Sequence, residues 1–563
     1  MKKSFLRNLP FVVLVTLGIV AILHAEEPPP TPPDVGFRSI EESAAAPSCK
    51  VGFWVPLHVR FSDRSDPLDF IVSAEDSEDH LVRTRTPFPR FDGPPNPPTW
   101  KSVPVKFGRL SNAIRAGFCA PGDPHEHPFQ PLPYATAGIG SYMYLTIGGK
   151  LEDLPAALVS KERRAEEEGT LRDFVPNRFA VFENNVERLP RRSLEYDTAD
   201  LAIFLTGDDR FVDRLKVSGS IRPLLQWVKD GGRLVVSLSP ATASRVEAMI
   251  HDFESPGKPY EPPSPRSTTV RKLVPVEAWA GLSNKPFPTP GSPPVPVVRL
   301  GPGPRWESIA KLGDDSLVIA TRPFGFGSLS VIAFPLDGAE FVAWAGRQEF
   351  LRTLVDQLGP RYRMPEKTKS PLWRAGGRID DLGTELNIAL DNFDVPRLPF
   401  GLIAFAILGY LLLAGPIDYL LLRRLFGRLE WTWLTYPLIV LVVSGLAYVT
   451  YRSTSDRVVL VDRVDLVDVH LADGVTRGTS FFAVRSPDLR ALSLELAPNE
   501  RFLGPGKLAD VALSWFGRPD DGPAGMGRAG TQSFSRKEYE QSPDLAHLHE
   551  VPFADRASKA FLA

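Results

Sequence analysis

The sequence predicts an α/β, membrane-anchored multidomain protein with an N-terminal β-sandwich, a central α/β domain on a mainly parallel sheet, a two-helix transmembrane hairpin and a C-terminal β-rich domain. Three observations predict it. Short alternating or aromatic-rich runs before residue 120, such as "CKVGFWVPLHVRFS", have the period of half-buried strands. Between residues 140 and 360 fully apolar strands alternate with helices, as in a parallel sheet covered on both faces. Two apolar runs then follow back to back, Leu398 to Leu422 and Trp433 to Tyr451. Each is long enough to cross roughly 30 Å of hydrocarbon at about 1.5 Å per residue.

The chain of 563 residues carries a net charge of -2, so it lacks the basic footprint of a nucleic-acid-binding protein. Its 56 prolines, about twice the usual share of roughly 5%, cluster in "EEPPPTPPD", "FDGPPNPPTW", "EPPSPRS" and "PFPTPGSPPVPVV", which read as extended connections. At the N-terminus Lys2, Lys3 and Arg7 precede an apolar run ending near Leu23, with Ala25 at a cleavage edge. Residues 1–25 therefore read as a secretory signal peptide or an uncleaved anchor, and the chain beyond them as exported. Residues 26–44 form a proline-rich linker.

Residues 45–120 are expected to form the sandwich, from "CKVGFWVPLHVRFS", "LDFIVSAEDSEDHLVRT" and "SVPVKFGRL". Cys49 and Cys119, the two cysteines of the chain, bracket it, and an exported compartment permits a disulfide between them. In "GDPHEHPFQP" the pair His125 and His127 has the spacing of metal ligands, but with no further histidine or cysteine cluster nearby it reads as an exposed loop.

From 140 to 360, "ADLAIFLTG" and "RLVVSLS" are buried strands and "IRPLLQWVKDGG" is a helix with a glycine stop. "SLVIATRPFGFGSLSVIAFPLD" is a hairpin turning on "FGFG", and "AWAGRQEFLRTLVDQLG" is a closing helix. The segments "RLPRRSLEYDTADLAIFLTGDD", "LLQWVKDGGRLVVSLSP" and "RPFGFGSLSVIAFPLDGAEFVAWAGRQEF", followed by "GPIDYLLLRRLFGRLEWTWLTYPLIVLVVSGLAY", resemble bacterial cell-envelope proteins. Those proteins carry an exported class I glutamine amidotransferase-like domain and end in a membrane hairpin. The resemblance covers roughly residues 170 to 451. It implies an architecture more than an activity.

In active members of that class the nucleophile stands in Gly-x-Cys-x-Gly, which maps here onto Ser237, Leu238, Ser239, Pro240 and Ala241. Serine replaces cysteine and both glycines are gone. Pro240 also has no N-H to offer an oxyanion, where losing one donor typically costs about 2.7 to 4 kcal/mol of transition-state stabilisation. His251 lies one helix after Ser239, not on a distant loop, so no triad is expected. The crevice at the carboxyl ends of the strands remains the expected ligand site, lined by Asp208, Asp209, Arg210, Ser237 and Ser239.

Arg423, Arg424 and Arg428 between the apolar runs (398–422 and 433–451) are expected on the cytoplasmic side, leaving the flanking regions outside. Gly415, Pro416 and Asp418 interrupt the first run. A proline bend, with the acid reaching an arginine or headgroup water, is the expected reading. Residues 455–563 read as a further β-rich exported domain, with strands turning at Asp473 and Gly474. It is expected to be incomplete, because "ASKAFLA" shows no closing element. "GPAGMG" lacks the Gly-Lys-Ser/Thr ending of a phosphate loop, and no motif calls for a cofactor.

The resulting expectation is a binding or scaffold protein of the bacterial inner membrane that contacts the bilayer and an envelope or membrane protein partner. The alternative is an exported serine hydrolase using Ser239. Two or three spans without paired broken helices offer no transport pathway.

Overall fold

The computed structural model describes residues 34–36, 49–60, 67–78, 80–88, 100–108, 111–121, 127–128, 132–137, 141–158, 178–258, 267–270, 283, 285, 287, 295–298, 300, 305–311, 317–359, 386, 389–393, 400–425, 427, 429–453, 458–472, 474–496, 511–516, 521–522, 525–526 and 538–563. Near the N-terminus lie β1 (Cys49–Lys50), β2 (Trp54–Arg60), β3 (Leu68–Glu75), β4 (Leu81–Phe88), β5 (Trp100–Lys106), β6 (Ser111–Cys119) and β7 (Leu132–Ala137). Strand β2 pairs with β5 and with Asp34–Gly36 in one sheet, and β1, β7, β6, β3 and β4 follow one another in a second. The strand period of two turns Leu57, Val59, Val103 and Val105 toward Phe70, Val72, Ile114 and Phe118, which closes a core between the sheets.

The central sheet contains β8 (Tyr142–Ile147), β9 (Arg178–Glu183), β10 (Leu201–Leu205), β11 (Arg233–Ser237), β12 (Glu307–Lys311), β13 (Leu317–Phe324) and β14 (Gly327–Ile332). Their order is β9-β8-β10-β11-β14-β13-β12. The first five are parallel and the last two antiparallel. Helices α1 (Asp209–Ser218), α2 (Ile221–Lys229), α3 (Ala243–Glu254) and α4 (Arg347–Leu358) cover it. The run "LAIFL" is wholly buried because its two faces enter different cores. Ala202 and Phe204 pack with residues of α1 and α2, including Phe211 and Val228. Leu201, Ile203 and Leu205 pack with residues of α4, including Phe350 and Leu354. The expected hairpin on "FGFG" joins β13 to β14, with Gly325 at φ +61°. A Cβ there would lie 2.4 Å from the Lys229 carbonyl oxygen, which excludes a side chain on steric grounds as well.

Two stretches, Phe400–Arg424 and Thr432–Thr450, are long and apolar enough to cross a membrane. The first is built from α5 (Phe400–Leu412), a π-helical turn Leu413–Ile417 and α6 (Asp418–Leu425); the second lies in α7 (Thr432–Ser453). Pro416 contributes no N-H to the helical ladder, and the wider turn falls on it. Asp418, next in the helix, is buried, and Arg423 and Arg424 are exposed. Arg428 lies outside the described residues.

After the hairpin come β15 (Leu460–His470), β16 (Val475–Arg485), β17 (Arg490–Glu495), β18 (Ser514–Trp515), β19 (Glu538–Gln541), β20 (His547–Phe553) and β21 (Ser558–Leu562). Strands β15 and β16 form a hairpin with Gly474 at φ +62°. Here the structure differs from the expectation of two separate β domains. Strand β19 pairs in parallel with β4, from Glu538 opposite Leu81 to Gln541 opposite Thr84, and β20 and β17 extend the same sheet. The N-terminal sheet thus continues past residue 120 through β7 and is extended from the far end of the chain. The tail "ASKAFLA" is β21, which lies between β16 and β18. The sequence hides this because β19 is only four residues long, with glutamates at its two exposed positions.

The joint is polar as well as apolar. Tyr539 Oη donates to Asp76 Oδ2 at 3.1 Å, and Lys559 Nζ lies 3.3 Å from Glu78 Oε2. Val82 shares a core with Phe482, Trp515, Phe553 and Phe561. The segment 186–200, between β9 and β10, fastens the central domain to both. Ser102 Oγ donates to Glu195, Lys50 Nζ lies 3.3 Å from Asp200, and Arg192 donates to the Pro543 carbonyl at 2.8 Å.

The expected Cys49–Cys119 disulfide is overturned by strand register. Cys49 pairs with Thr136 on β7, whereas Ser111 of β6 pairs with Ala135. Cys119 stands eight residues further along β6, about 26 Å away at roughly 3.3 Å per residue. A disulfide needs Cα atoms about 4.4 to 6.8 Å apart.

Candidate ligand crevice

Parallel strands β8, β10, β11 and β14 deliver their carboxyl ends to one edge of the central sheet. The four turns leaving it are Gly148-Gly149, Thr206-Gly207-Asp208, Leu238-Ser239-Pro240 and Pro335-Leu336-Asp337.

Thr206 organises the second and third turns. Its hydroxyl donates to the Ser237 carbonyl at 2.8 Å and accepts from the Ser239 N-H at 2.8 Å. Thr242, before the first turn of α3, donates from Oγ1 to the Thr206 carbonyl at 2.7 Å. The Ser239 carbonyl accepts from Thr242 and Ala243 N-H, starting α3. The N-H of Ser239 is therefore engaged and Pro240 has none, so neither residue presents an oxyanion donor.

Ser237 and Ser239 part company here. Ser237 is fully buried: its hydroxyl donates to the Phe334 carbonyl at 3.0 Å and accepts from the Leu336 N-H at 2.8 Å, tying β11 to the segment after β14. It belongs to the scaffold, not to the crevice. Ser239 is half-buried at the rim.

The histidines are dispersed. His251 is nine residues beyond Thr242 on α3, about 14 Å along the axis at roughly 1.5 Å per residue. His470 packs edge-on against Phe326, centroids 6.0 Å apart, at the opposite end of the sheet, where β14 begins. His547 and His549 stand on β20 in the extended N-terminal sheet. His125 and the side chain of His127 lie outside the described residues. Among the described residues no group of three or more His, Cys, Asp or Glu is placed to hold a metal ion.

The expected charged rim is divided between capping and pairing. Asp208 caps α1, its Oδ1 accepting from the Arg210 N-H at 2.8 Å. Asp209 pairs with Arg245 at 2.7 Å, and Arg210 is exposed on the first turn of α1.

Asp337 is the residue that sequence reasoning missed. Its carboxylate reaches back over Gly207, where an added Cβ would lie 2.2 Å from Oδ2, and stands 3.8 Å from the corresponding point on Gly149. Burial pushes the carboxyl above its usual range, opposed by the N-H groups of Asp337 itself and Gly207, while the charge of Asp208 adds to the rise. Oδ1 is buried and has no hydrogen-bond partner among the described residues. The signal was only "PLDG" after the last parallel strand, which reads as an ordinary turn. Its proximity to Gly207 is a tertiary fact.

No family model and no curated protein matches the chain. Among solved structures it is similar to a cytoplasmic protein of Salmonella typhimurium LT2, at 12% identity over 39% of this chain and 100% of that one, with a TM-score of 0.25. A second cytoplasmic protein of Salmonella typhimurium gives 9% identity over 39% and 99%, with a TM-score of 0.26. An exo-β-1,4-mannosidase from Opitutaceae bacterium strain TAV5 gives 12% identity over 39% and 36%, with a TM-score of 0.22. At such scores none of these likenesses carries an argument.

Proposed function

We propose that this protein is a binding or scaffold protein of the bacterial inner membrane, with a degenerate, non-catalytic amidotransferase-like domain in its exported body. The observation that carries the reading is the state of the Ser239 turn. Its N-H is bound by Thr206, the next residue is proline, and His251, His470, His547 and His549 all stand away from it. A second observation supports the membrane arrangement. Strands β4 and β19, from opposite flanks of the hairpin, share one sheet, so both flanks belong on the same side of a bilayer. The arginine-bearing loop then lies on the cytoplasmic side.

The test treats the full-length protein in gently solubilised membranes with a fluorophosphonate probe, with and without Ser239→Ala, and captures partners from both. No Ser239-dependent labelling, with the same envelope or membrane protein captured by wild type and variant, is the expected result. Labelling that disappears in Ser239→Ala would replace the scaffold by an exported serine hydrolase.

A further inference from the structure

We infer that β15 is a self-pairing edge: two copies of this chain join their β15 strands antiparallel, in the register centred on Val464. Strand β15 ends its four-stranded sheet, with β16 on one side and, among the described residues, no strand on the other. Eleven residues of open edge are unusual in a protein that must avoid unwanted pairing. Besides the charged Asp462, Arg463, Asp465 and Asp468, the edge carries Val461, Val467 and Val469 at 55%, 63% and 54% exposure. All three lie on the face opposite to Leu460 and Val464, which pack with Leu390 and Phe393.

The register follows from symmetry and charge. When an antiparallel pair within one sheet is related by a two-fold axis, that axis is normal to the sheet and keeps every residue on its own face. Only residues of like parity can then oppose one another. Centring on Arg463 sets arginine against arginine. Centring on Asp465 sets aspartate against aspartate there and again between Asp462 and Asp468. Centring on Val464 places Arg463 opposite Asp465 twice, and Val461 opposite Val467 twice, all on one face. Within one copy Arg463 Nε already reaches Asp465 Oδ1 at 2.6 Å, and Ser480 Oγ donates to the same oxygen at 2.6 Å. The carboxylate is thus held on the face where the second guanidinium would arrive.

The bilayer adds a condition. Two copies in one membrane share a two-fold axis along its normal, so the paired strands lie along the membrane surface.

The experiment uses full-length protein in mild detergent. Val464→Cys faces its own counterpart across the axis, within disulfide reach of opposed antiparallel strands. It is expected to give an oxidant-dependent dimer that neither wild type nor Leu489→Cys gives. Asp465→Arg and Arg463→Asp are each expected to weaken the dimer at least tenfold by light scattering, and the double exchange to restore it. A monomeric wild type with no Val464→Cys cross-link overturns the proposal, as does failure of the double exchange to restore what the single changes lose. Protection of Val464→Cys from labelling only in liposomes would assign the edge to lipid, and a cross-link only to a different protein would assign it to that partner. Either result also overturns self-pairing.

Discussion

Lys106 permits a quantitative test of how the tail is held. It ends β5 and is buried against β18, where its ammonium donates to Ser514 Oγ and the Trp515 carbonyl, both at 2.9 Å, and lies 4.5 Å from the centre of the Trp515 ring. Burial lowers its pKa from 10.5 to about 7, against the charge of Asp197, which raises it. Between pH 7 and 10.5 the unfolded chain therefore binds a proton that the folded one does not, so stability rises with pH in that window. The limiting slope is about 1.4 kcal/mol per pH unit, which gives on the order of 2 kcal/mol between pH 7 and 9 for one group. Below about pH 7 the contribution is flat. Lys106→Met removes the titration and leaves two acceptors without their donor, at a cost of about 1 to 3 kcal/mol each if no water reaches them. Urea-dependent proteolysis of the tail at pH 7, 8 and 9 reads the effect. Wild type is expected to gain protection with pH while Lys106→Met gains less by about 1 to 3 kcal/mol over the window. Parallel pH profiles would refute the reasoning.

Two other predictions rest on the central sheet and on the N-terminal strand register. Ser237→Ala should destabilise the central domain by about 1 to 3 kcal/mol, because the Phe334 carbonyl and the Leu336 N-H lose a shared buried partner; a thermal midpoint unchanged from wild type would contradict that role. Intact mass after alkylation of the unfolded, unreduced monomer should show no Cys49–Cys119 bridge, and an internally bridged species would mean that the register of β1, β7 and β6 is wrong.

Several elements were legible from residue order alone. "LAIFL" and "LVVS" are apolar on both faces and had to be inner strands, and the "FGFG" turn announced the hairpin that completes the sheet. Gly415-Pro416 marked the irregular turn in the first long apolar stretch. Sequence period says nothing, however, about which strands from distant regions meet. "EYEQ" alternates too briefly to stand out, and its partner in β4 is more than 450 residues upstream. The crevice was legible in position but not in membership. Ser237 and Ser239 sit two residues apart, yet one is consumed by a carbonyl across the sheet, while Asp337 enters only because Gly207 leaves it room.

The insertion of β19 beside β4 also sets a timetable for making the protein. While the chain is synthesised from its N-terminus, β4 is an open edge until residue 541 has emerged, after both long apolar stretches. Emergence of the first flank is thereby separated in time from closure of its sheet. A chain truncated after α7 would keep that edge permanently bare, exposing it to the strand-to-strand association that the finished molecule prevents.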